Sequence, residues 1–149
     1  LSLTGTGKMS KSENQMATIY LADDDELIRQ KIKKAKSDVV PAEPNSKKTE
    51  AVENLFTLMR LVSDKDVIEK FEADFNNCVI RYGDMKSQLG EDMVKFVGPL
   101  REKAKAFRSD EKYLREVMAI GAEKARSSAK ATMELVRTAM GLKYFTSNL

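Results

Sequence analysis

Apolar residues recur three and four positions apart along most of this chain, and that spacing is what most constrains its fold. Val52, Leu55, Phe56, Met59 and Val62 form one stripe, and Val67, Ile68, Phe71 and Phe75 form the next. Met85, Leu89, Met93, Phe96, Val97, Leu100 and Phe107 make a third. Side chains at i, i+3, i+4 and i+7 share one face of an α-helix, so each stripe predicts a helix with one buried side. The one strand-like signal is a short apolar patch in residues 17–21, which suits a strand end or a staple against the following helix. The expected fold class is all-α, an irregular bundle of five or six helices with an N-terminal flexible loop.

Breakers and charges set the expected boundaries. The first helix spans about Asp24 to Lys36, with Asp23, Asp24, Asp25 and Glu26 at its start and Lys31, Lys33, Lys34 and Lys36 at its end. That order complements the helix dipole at both termini. Its buried stripe is Leu27, Ile28, Ile32 and Ala35. Pro41 and Pro44 exclude helix from residues 39–46. A second helix is expected from about Lys47 to Leu61, and Ser63-Asp64-Lys65-Asp66 fits a capping box that starts a third. Residues 76–83 break the pattern. Cys78 follows Phe71 and Phe75 at helical spacing and is expected in the core, with Gly83 taking the left-handed conformation. A fourth helix begins near Asp84 and should kink at Gly98-Pro99. Ser109 opens the last element, whose stripe is Ala122, Ala125, Ala129, Met133, Val136 and Met140. An interruption is expected at Gly121 and a cap at Gly141, with Tyr144 and Phe145 packing back.

Composition removes several chemistries. The 149 residues include no histidine, which rules out Ser-His-Asp and Cys-His nucleophilic sites and most zinc sites. The single cysteine cannot form an intramolecular disulfide, so a reducing, cytoplasmic setting is expected. No apolar run approaches the roughly 20 residues of a membrane span, and the polar start lacks a signal-peptide core. Residues 1–83 hold 13 basic and 14 acidic side chains, and residues 84–149 hold 13 and 9. The mildly basic second half suits RNA phosphates, and it suits a solvated helical surface equally.

One short motif carries chemistry. Thr4-Gly5-Thr6-Gly7 precedes Lys8-Met9-Ser10-Lys11-Ser12. Two lysines three positions apart, each beside a hydroxyl, can hold a polyphosphate in a mobile loop. Lysine supplies a flexible point charge, serine a short-range hydrogen bond, and glycine a close backbone approach. The motif is not a P-loop, because Met9 rather than Ser or Thr follows Lys8. The same composition also suits an exposed polar tail.

Lys8-Met9-Ser10-Lys11-Ser12 resembles the signature loop of class I aminoacyl-tRNA synthetases. Further matches follow in order: Ile19-Tyr20-Leu21 to Asp23-Asp24, Ile28-Arg29-Gln30-Lys31-Ile32, Ser37-Asp38, Tyr82-Gly83-Asp84-Met85-Lys86, Pro99-Leu100-Arg101-Glu102, Gly121 to Arg126, and Met140-Gly141-Leu142. Together they resemble tryptophanyl-tRNA synthetases. One departure is Glu13-Asn14-Gln15 after the motif, where Asp-Pro-Asn is commoner. The resemblance implies a C-terminal piece of such an enzyme, inactive alone, whose Rossmann-type catalytic domain lies outside this sequence. Residues 1–18 would be the remnant of that domain and residues 19–149 a helical domain of the anticodon-binding type.

The resemblance also implies roles. Tryptophan carboxylate attacks the α-phosphate of ATP, releasing pyrophosphate, and the adenylate passes its amino acid to tRNA(Trp). Lys8 and Lys11 would stabilise the charge on the departing pyrophosphate. Met9, Ser10 and Ser12 complete the ATP-binding loop, and Mg²⁺ would be held through ATP phosphates, with no metal ligands in this chain. Lys33, Lys36, Ser37 and Asp38 are the tRNA-binding candidates: lysine meets phosphate, and aspartate accepts from a cytosine amino group. The same residues also suit a plain helix end followed by a turn. Membrane contact is not expected, and the intact enzyme should be a homodimer. The competing reading is a non-catalytic helical adaptor that binds RNA or protein and keeps a vestigial loop.

Overall fold

The computed structural model describes residues 2–10, 12 and 14–142. Among them are five α-helices, one 3₁₀ turn and no strand: the turn at Gln15–Ala17, then α1 (Asp25–Lys33), α2 (Glu50–Val62), α3 (Lys65–Asn76), α4 (Tyr82–Ser109) and α5 (Glu111–Ala139). The all-α expectation holds, and the 17–21 patch is not a strand. The chain divides into two compact units, residues 1–103 and 104–149. Lys11, Tyr144 and Phe145 lie outside the described residues.

The first unit has the core. Ile28 and Ile32 of α1, Val52, Leu55, Phe56 and Met59 of α2, Phe71 and Phe75 of α3, and Met85, Leu89, Met93 and Val97 of α4 form one apolar cluster, which Leu3 joins. Phe56 and Phe75 meet edge to face at 6.2 Å and 86°, the offset geometry that the aromatic quadrupole favours. Lys48 and Arg60 both reach Glu72, linking α2 and the segment before it to α3. Burial pushes the Glu72 carboxyl up, but the hydrogen bonds from Lys48 and Arg60 outweigh it and leave its pKa below the ordinary value.

Several helix ends differ from expectation. α1 is shorter at both ends, capped by the Asp24 carboxylate, which accepts from the Leu27 amide at 2.7 Å. The capping box before α3 does not form. Asp64 is the N-cap without a side-chain bond, and Ser63 Oγ is buried without a partner. α3 closes by a Schellman motif: the Val79 amide donates to Asp74 O and the Cys78 amide to Phe75 O. Cys78 therefore holds the left-handed position at φ +59° and is only half-buried, because the helical stripe it seemed to extend has already ended. Gly83 instead lies in the first turn of α4. α4 runs unbroken through Gly98-Pro99, and α5 runs unbroken through Gly121.

The second unit is the end of α4 with α5. Asp110 caps α5 by accepting from the Tyr113 amide, and Phe107 stacks on Tyr113 at 5.4 Å. Gly141, at φ +69°, closes the helix, with the Leu142 amide donating to Arg137 O. None of the residues of α5 is buried.

Candidate functional site

The N-terminal loop folds back on the helical core. Leu3 N donates to Ala17 O at 3.0 Å, and Lys36 N donates to Leu3 O at 2.8 Å, so the strongly buried Leu3 pins the loop beneath the 3₁₀ turn and beside the end of α1. Gly5 and Gly7 have φ values of +90° and +71°, which only glycine adopts without strain. A Cβ on Gly5 would also lie 2.9 Å from Ala51 Cβ on α2. Glycine is thus required twice over at Gly5, by conformation and by contact.

Beyond the glycines, Lys8 is exposed, and its ammonium makes no ion pair or hydrogen bond among the described residues. Met9 packs against the core, and Ser10 after it is partly buried. Ser10 Oγ and Ser12 Oγ lie 2.9 Å apart, close enough for either to donate. An exposed lysine near two mutually bonded hydroxyls, on a backbone held at Leu3, is an arrangement suited to an anion. No group of three or more metal-ligating side chains occurs among the described residues.

Of the four tRNA candidates, three gather and one stands apart. Lys36, Ser37 and Asp38 line an open cavity of 320 Å³ with Gly5, Thr6, Thr49, Glu50 and Ala51. Lys33 lines a separate surface groove between α1 and α4, with Glu26, Arg29 and Lys86 among its walls. Ser37 Oγ accepts from Lys86 Nζ at 2.9 Å, and burial lowers the Lys86 pKa from its ordinary value. Asp38 accepts from the next amide, that of Val39, so its carboxylate also shapes the turn. Burial, and then the Asp38 charge, raise the Tyr82 pKa. Lys86 and Tyr82 thus belong to the same neighbourhood, and both lie in the Tyr82–Lys86 string that the sequence singles out.

Lys31 is the residue whose place sequence reasoning missed. Its charge completes the helix dipole on paper, yet its side chain is 2% exposed. The Lys31 ammonium donates to Asp23 Oδ2 at 2.6 Å and to Thr18 O at 2.9 Å. The signal was available: Lys31 lies three residues after Ile28 and four before Ala35, on the buried face of α1.

A family model described as tRNA synthetases class I (W and Y) matches residues 1–98. The chain belongs to this family. A tryptophan–tRNA ligase from Porphyromonas gingivalis is 48% identical over 141 residues, covering 95% of this chain and 42% of that protein. One from Helicobacter pylori is 36% identical over 136 residues, covering 91% and 40%. The chain thus spans about two-fifths of the length of these curated relatives. Among solved structures, tyrosyl-tRNA synthetase from Aeropyrum pernix matches with a TM-score of 0.55 and 24% identity, over 81% of this chain and 37% of that one. At that identity the likeness shows the fold alone. Within the family, no described helix of this chain is long and apolar enough to cross a membrane.

Proposed function

We propose that this chain supplies the ATP-phosphate loop and the tRNA-reading helical domain of a tryptophan–tRNA ligase. The observation that carries the reading is the 48% identity to a tryptophan–tRNA ligase over 95% of the chain, with the Lys8–Ser12 motif inside the matched family segment. In that enzyme the tryptophan carboxylate attacks the α-phosphate of ATP, the bond to the bridging oxygen breaks, and pyrophosphate leaves. Lys8 and Lys11 meet the negative charge that grows on the leaving group, and Ser10 and Ser12 donate to it or order the loop. Mg²⁺, arriving with ATP, would supply further charge neutralisation. Lys36, Ser37 and Asp38 meet the splayed anticodon of tRNA(Trp), with Lys33 on the phosphate backbone nearby. The working form is a cytoplasmic homodimer, and this chain alone neither selects tryptophan nor turns over.

The test uses the full-length gene product. Lys11→Ala should slow tryptophan-dependent pyrophosphate exchange about a hundredfold, the usual cost of losing one preorganised charge-stabilising donor. Exchange near the wild-type rate would reject the role of the loop. Asp38→Ala should weaken aminoacylation while adenylate formation stays intact. Equal losses in the two assays would remove Asp38 from the anticodon contact.

A further inference from the structure

Lys31 is spent entirely inside the protein. Its ammonium lies 4.7 Å from the Tyr20 ring centroid and is held by Asp23 and Thr18, all within one six-residue segment. A buried charge is tolerated only when paired and hydrogen-bonded, and each of these contacts fixes residues 18–23 onto α1. The same segment is held from other sides. Asp23 Oδ2 accepts from Tyr20 N at 2.8 Å, and Arg101 of α4 donates to Asp23 O at 2.5 Å and also pairs with the Asp25 carboxylate. Thr18 is therefore a rigid point, although its segment has no regular secondary structure.

From that point one bond reaches the loop. Thr18 Oγ1 donates to Ser10 O at 3.2 Å. Its neighbour Ala17 accepts from Leu3 N. Adjacent residues thus grip the loop at both ends, at Leu3 and at Ser10. Just outside that span, Ser2 N donates to Gly7 O within it at 3.0 Å, and Lys8, which follows Gly7, is exposed. Holding a cation where charge will develop is what makes it useful, since a freely moving lysine must be ordered at the moment of reaction.

We propose that Thr18 and Lys31 are positioning residues for the phosphate loop, Lys31 by locking the Thr18 backbone and Thr18 by tethering Ser10. This rests on the reading of Lys8–Ser12 as that loop. The decisive variant is Thr18→Val in the full-length protein, which keeps the side-chain shape, removes the hydroxyl and leaves the Lys31–Asp23 pair intact. Trypsin should cleave after Lys8 about fivefold faster, and kcat for tryptophan-dependent pyrophosphate exchange should fall by a similar factor, the scale of one hydrogen bond. KM for tryptophan and the melting temperature should not move, and Thr18→Ser should restore both rates. Wild-type cleavage and turnover in the valine variant would overturn the proposal. So would a rate loss that tracks a lower melting temperature and is not rescued by serine. Should the wild-type protein show no tryptophan-dependent exchange, the proposed function falls, and the cleavage rate alone still decides: faster in the valine variant sustains the tether, unchanged refutes it.

Discussion

Ile28, Phe56, Met59 and Leu89 are fully buried in the first unit, whereas Val117, Met118, Ile120 and Leu135 of the second stand 48%, 71%, 59% and 74% exposed. The apolar spacing that announces the helices is similar in both. What differs is whether anything within the unit covers the apolar face. Periodicity reports which side of a helix is apolar, and burial depends on a second surface that the helix does not encode. α5 is accordingly held by local means. Asp110 caps it, Arg115 pairs with Glu111 and Arg126 with Glu123, each such exposed pair contributing about 0.3–0.5 kcal/mol.

The largest expected effect lies in the covered unit. Phe56→Ala should cost about 3–5 kcal/mol, because it leaves a cavity against Phe75 and strips the edge-to-face contact. Urea unfolding followed by circular dichroism measures it. A loss below about 1 kcal/mol would mean that the α2–α3 contact is no better packed than an exposed surface, and would dissolve the distinction between the units.

The contrast also explains what the sequence could and could not show. The stripes of α2 and α3 and the first part of α4, Met85, Leu89, Met93 and Val97, were legible, because a neighbour in the first unit covers them, whereas Phe96, Leu100 and Phe107, read as part of the α4 stripe, stand 53%, 44% and 53% exposed. The Lys8–Ser12 string was legible as a candidate phosphate loop, because lysines and hydroxyls at that spacing suit an anion, and that role rests on the proposal above. Its tether was not, since the Thr18–Ser10 bond runs from a side chain to a backbone carbonyl in irregular segments that no periodicity marks, and Arg101 reaches Asp23 only when α4 has packed beside α1. Lys31 was half legible. Its position on the buried face was visible, but the dipole gave its charge a sufficient reason to be there. Cys78 misled for a related reason: helical spacing from Phe75 looked continuous, while the turn after Asn76 depends on backbone hydrogen bonds that no side chain announces.

A smaller effect compares two helix ends. α3 and α5 close with the same hydrogen-bond pattern, but the left-handed position is Cys78 in one and Gly141 in the other. Cysteine in that conformation carries a steric cost that glycine lacks. Cys78→Gly should therefore raise stability by about 0.5–1 kcal/mol, the loss of unfolded-state restriction offsetting only part of the relief. Destabilisation in the same urea experiment would show that the half-buried thiol packs more tightly than its backbone is strained.

The smallest effect tests the uncovered unit directly. Met118→Ala removes a large apolar side chain from α5, yet the side chain is mostly in water, so no cavity forms and little transfer energy is lost. Alanine is also at least as good a helix former as methionine. The stability of the protein should stay within about 0.5 kcal/mol of wild type, and the far-ultraviolet signal should hold or rise slightly. A loss above about 1.5 kcal/mol would place Met118 against a packed surface, and the apolar face of α5 would then belong with the core stripes of α2 and α3 rather than apart from them.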